Sequence, residues 1–113
     1  MSEVIVVGPD EYGLTGRFSD AGVEAVQLDD RPIGSDLTAA GIAEAGALVV
    51  TDAGLATLVS VAKEHNDRLT VVFYARGGLP PYASRQADVA VDPQLVTPDE
   101  LVEAVIDRIA SSA

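Results

Sequence analysis

Glycines and acidic residues directly follow apolar runs at several places in this sequence. The first run is followed by a turn, residues 8–13, that begins with Gly8 and ends with Gly13. A later run is followed by Thr51 and Asp52. The backbone amides of a glycine turn can hold a phosphate, whereas grouped carboxylates can hold a divalent cation. These positions therefore predict a binding site, for either an anion or a cation.

The apolar runs predict the strands that position these residues. Runs that are apolar throughout are typical of central parallel strands covered by helices on both faces. Such runs occupy residues 4–7 and 47–50, and 69–73 follows the same pattern with Thr70 as its one polar residue, whereas 23–28 alternates between apolar and polar residues and 89–91 is short enough for an edge strand. Helical spacing and start signals predict helices at roughly 12–21, 36–44, 53–65 and 98–111. The last of these helices starts with a capping box, in which Glu100 stands three residues after Thr97.

Strand and helix alternate along the whole chain of 113 residues. This alternation predicts a single domain, residues 1–113, with a three-layer, Rossmann-like α/β fold and a five-stranded parallel sheet. Ligands of such sheets bind beyond the carboxyl ends of the strands. Besides the turn and Thr51-Asp52, the residues expected at that edge are Asp29 and Asp30 after the second strand, and Arg76 and Gly77 after the fourth. The arginine and the glycine amide could hold an anion there.

The composition excludes several classes of function. The chain has 18 acidic and 7 basic residues and a net charge of -11, so we expect no nucleic-acid partner, because phosphate backbones are bound by Lys and Arg patches. No apolar run approaches the ~18 residues of a membrane span, and the start lacks the basic residues of an export signal, so we expect a cytoplasmic protein without membrane insertion. The chain contains no cysteine, which excludes thiol chemistry. The scattered acids are typical of proteins adapted to concentrated salt, which screens their repulsion.

The spacing of the turn resembles the nucleotide-binding domain of regulators of potassium conductance and Trk-type potassium uptake. Gly8 and Gly13 match the outer glycines of that family's fingerprint, and Asp29 or Asp30 matches its ribose-binding acid. The exit of the third strand, at Thr51-Asp52, matches as well. The resemblance implies a strand order of 3-2-1-4-5 and NAD or another adenine nucleotide as the ligand of a regulatory subunit. It also implies a homodimer.

One residue of the turn departs from that family's pattern. Asp10 stands where the middle glycine of the fingerprint lets a pyrophosphate approach. Together with Glu11 it places two carboxylates at a helix N-terminus, where they satisfy the positive end of the helix dipole that would otherwise attract phosphate. We therefore expect this turn to be capped by its own side chains.

The chain also resembles the two-component receiver domain. Asp10 and Glu11 follow the first strand and Asp52 ends the third, roughly where receivers place metal-binding acids and a phosphoryl-accepting aspartate. This resemblance implies a strand order of 2-1-3-4-5 and a Mg²⁺ ion held by the three carboxylates. The receiver lysine after the fifth strand corresponds to Asp92, and the hydroxyl residue after the fourth strand either corresponds to Ala75 or is missing.

Two hypotheses of function follow from these resemblances. The leading one is a stand-alone regulatory domain that binds a nucleotide or another small ligand. The alternative is a receiver-like signalling or protein-interaction module with an acidic divalent-cation site. We expect no catalytic activity, because the single histidine, His65, falls at the end of a predicted helix and no serine lies in a nucleophile motif.

Overall fold

The computed structural model describes residues 4–28, 33–52, 55, 57–75 and 87–112. The strands are β1 Val4–Val7, β2 Ala25–Leu28, β3 Ala47–Val50, β4 Thr70–Tyr74 and β5 Val89–Val91. The helices are α1 Leu14–Asp20, α2 Gly34–Ala39, α3 Thr57–His65 and α4 Pro98–Ser112, with a 3₁₀ turn at Ile42–Glu44. The predicted alternation of strand and helix is confirmed. Among the described helices, none has the length and apolar character needed to span a membrane.

The five strands form one parallel sheet in the order β2-β1-β3-β4-β5. The order favoured from the glycine spacing, 3-2-1-4-5, is wrong, and the alternative order is the one observed. Burial explains the difference. All four residues of β3 are fully buried, whereas all four of β2 are half-buried. The order 3-2-1-4-5 would place β3 at an exposed edge and β2 in the interior, so the observed order matches each strand to its surroundings.

Each face of the sheet carries its own apolar core, because alternate strand residues point to opposite faces. One core joins the sheet to α2 and α3 and includes Ile5, Val7, Leu37, Val59 and Phe73. The other joins the sheet to α1 and α4 and includes Val4, Phe18, Tyr74, Leu101 and Val105. Helices therefore cover both faces, which confirms the predicted three-layer arrangement.

The predicted capping box starts α4. The Thr97 amide donates to Glu100 Oε1 at 3.1 Å, and the Glu100 amide donates to Thr97 Oγ1 at 3.2 Å. Hydrogen bonds from the Thr97 backbone and side chain lower the pKa of Glu100. The box fixes where the chain leaves the carboxyl edge of the sheet after β5, and so helps to shape that edge.

Candidate functional site

A cleft of about 410 Å³ lies at the carboxyl edge of the sheet. Its lining includes Glu11, Tyr12, Thr51, Asp52, Tyr74 and Pro93. β1 lies between β2 and β3, so the connections that leave β1 and β3 run to opposite sides, and an open α/β sheet has its crevice at such a point. The cleft is therefore the candidate site.

Gly8 lets the end of β3 approach the turn after β1. Its φ is +104°, and a Cβ at this position would lie 2.5 Å from Thr51 Oγ1. The Thr51 hydroxyl donates to the carbonyl of Pro9 at 2.7 Å, and the Gly8 carbonyl accepts from Gln27 Nε2 at 2.9 Å. Close packing against Thr51 thus accounts for the glycine without a bound phosphate.

Asp10 caps helix α1 with its own carboxylate. Asp10 Oδ1 accepts from the Leu14 amide at 2.6 Å, and Oδ2 accepts from the amide and the hydroxyl of Thr15 at 3.1 and 2.7 Å. These two amides are the donors that a phosphate at this helix N-terminus would need. The carboxylate already occupies that position, as the sequence predicted, so the turn presents no open cradle for a pyrophosphate.

The other residues predicted for nucleotide binding do not restore such a cradle. Thr51 and Asp52 line the cleft, but the Thr51 hydroxyl is bonded to the turn backbone. Asp29, Asp30, Arg76 and Gly77 lie outside the described residues. Within the described part of the turn, the nucleotide-binding interpretation therefore has no support.

The three acids predicted to share a magnesium ion do not face the same place. Glu11 and Asp52 line the cleft, while the Asp10 carboxylate faces α1. Among the residues that the structure describes, no three His, Cys, Asp or Glu side chains are grouped so that they could hold a metal ion. The structure therefore does not bring Asp10 together with Glu11 and Asp52 at the cleft.

Tyr74 forms the buried wall of the cleft, a role that sequence reasoning missed. Its hydroxyl donates to the Val96 carbonyl at 2.6 Å, and its ring meets that of Tyr12 edge-on at a centroid distance of 5.3 Å. Burial raises the pKa of Tyr74, the neighbouring Tyr12, Glu100 and Asp92 raise it further, and Arg17 opposes them. The available signal was a tyrosine at the end of the mainly apolar run that forms β4, where a buried hydroxyl needs an acceptor.

Replacing Tyr74 by phenylalanine should lower the free energy of unfolding at neutral pH by about 1–2 kcal/mol, because the Val96 carbonyl loses its donor. The folded protein holds the phenol proton more tightly than the unfolded chain, in which a tyrosine titrates at its ordinary pKa of 10.0. The stabilisation is therefore complete below that pH and is lost as the pH rises through the raised pKa. Urea unfolding at pH 7 and above pH 10 should show the difference between the two proteins shrinking; a difference independent of pH would contradict this assignment.

Comparisons with solved structures show the receiver type of fold. The chain is similar to HP1043, an orphan response regulator of H. pylori, with a TM-score of 0.71 and 16% identity over 96% of this chain and 98% of that one. It is similar to CpaE, a putative pilus assembly protein of Burkholderia thailandensis, with a TM-score of 0.64 and 16% identity over 98% and 99% of the two chains. The chain is also similar to NtrX of Brucella abortus, solved in complex with ADP, with a TM-score of 0.71 and 22% identity. This match covers 99% of this chain but only 27% of the NtrX chain.

Sequence comparisons identify a family for the chain, and the strand order rules out one of the two resemblances. A family of unknown function, DUF7126, matches residues 4–105. No curated protein matches the sequence. The resemblance to potassium-conductance and Trk-type regulators is wrong, because the strand order is 2-1-3-4-5 and the structural neighbours include an orphan response regulator and no potassium regulator is among those reported above. The spacing of Gly8 and Gly13 led to the wrong family because these glycines have local structural roles. Gly8 allows close packing against Thr51, and Gly13 is the N-cap of α1.

Proposed function

We propose that the chain, which belongs to the family of unknown function DUF7126, is a receiver-like protein-interaction module that works without phosphoryl transfer. The observation that carries this proposal is the Asp10 carboxylate, whose two oxygens accept three hydrogen bonds from the first turn of α1. A receiver needs acids after the first strand to hold magnesium beside the phosphorylated aspartate. In this chain Asp10, one of the two acids after β1, is committed to the helix, and only Glu11 remains at the cleft.

Two further positions oppose a phosphoryl group on Asp52. Asp92 stands in the place of the receiver lysine, and its Oδ1 accepts from the Gln94 amide at 2.8 Å. Ala75, at the exit of β4, has no hydroxyl to bond a phosphoryl oxygen. A phosphoryl group adds roughly two negative charges at neutral pH, and at these two described positions it would meet a carboxylate and a methyl group in place of a lysine and a hydroxyl.

The described strand ends around the cleft are held in place by hydrogen bonds. Thr51 bonds to Pro9, Gln27 bonds to Gly8, and Tyr74 bonds to Val96. Groups that are already held in this way bind a partner without the entropic cost of ordering them. The homodimer predicted from the sequence stays a prediction, and the response-regulator and pilus-assembly neighbours support a role in protein assemblies.

A magnesium titration at constant ionic strength tests this proposal. We expect millimolar Mg²⁺ to cause no saturable change in the ¹H–¹⁵N shifts of Gly8, Thr51 and Asp52, because Asp10 is unavailable as a ligand. The matched control is Asp52→Asn, which removes one cleft carboxylate and should give the same flat titration. Saturable shifts in the wild type that disappear in this variant would contradict the proposal.

A further inference from the structure

We draw no further inference here: the strongest candidate, a recess of about 310 Å³ at the amino edge of the sheet beside the starts of β3 and β4, carries charges of both signs, from Glu44 and Arg68, in its described lining, and nothing in the structure shows what fills it.

Discussion

Replacing Gly8 by alanine should lower the free energy of unfolding by about 3 kcal/mol or more. The φ of +104° strains any residue with a side chain, at roughly 1–2 kcal/mol. The new methyl group would lie 2.5 Å from Thr51 Oγ1 and 3.3 Å from the Asp52 backbone nitrogen, and overpacking of this kind costs about 1–3 kcal/mol more. The Thr51 hydroxyl would also be pushed from the Pro9 carbonyl. Urea unfolding followed by circular dichroism measures the loss.

Gly13→Ala is the matched control for this prediction. Gly13 has a φ of +65°, but no atom lies within 4 Å of a Cβ built there. This variant should therefore lose only the conformational term, about 1–2 kcal/mol. Equal losses in the two variants would show that Gly8 is needed for its backbone conformation only, and the close packing of β1 against β3 would then not explain the turn.

The second large effect is expected from Asp10→Ala, which should cost about 2–3 kcal/mol. The substitution removes three hydrogen bonds and leaves the first amides of α1 without their acceptor. Loss of a single side-chain cap costs about 0.5–2 kcal/mol, and a charged acceptor at a helix N-terminus adds to this through the dipole. Chemical unfolding at neutral pH, at a fixed salt concentration, gives the value.

Glu11→Ala separates the hydrogen bonds of Asp10 from its charge. Glu11 is the adjacent residue, is exposed, and changes the net charge by the same amount. We expect its replacement to alter stability by less than about 0.5 kcal/mol. If Asp10→Ala stabilised the protein instead, Asp10 would be a carboxylate held against its neighbours in an empty cation site, and its role as a cap would be wrong.

The strands could be predicted from the sequence, whereas only the alternative of the two predicted sheet orders, 2-1-3-4-5, is the observed one. Apolar runs placed β1, β3 and β5 with their observed bounds. The sequence also contained the evidence for the order, because the run at 47–50 is apolar throughout and the segment at 23–28 alternates. The order 3-2-1-4-5 was preferred because of the glycine spacing. The same spacing arises when glycines meet the conformational needs of a turn, with no ligand involved.

Only those contacts of the site that join residues close in sequence could be predicted. Competition between the Asp10 carboxylate and a phosphate was predicted, since donor and acceptor lie within five residues of each other. The bond from Tyr74 to Val96 spans 22 residues and that from Thr51 to Pro9 spans 42, so both depend on the packing of separate elements. The sequence indicates that the Tyr74 hydroxyl needs an acceptor and that a site lies at this edge, but the partners of these contacts and the shape of the cleft come from the structure.

The intact mass of the protein after incubation with acetyl phosphate and Mg²⁺ shows whether Asp52 accepts a phosphoryl group. A phosphorylatable receiver, treated in parallel, verifies that the donor is active, and Asp52→Asn verifies the position of any adduct. The commitment of Asp10 to α1 and the carboxylate at Asp92 predict an unchanged mass. An added phosphoryl group that is absent from Asp52→Asn would contradict an interaction module that works without phosphoryl transfer.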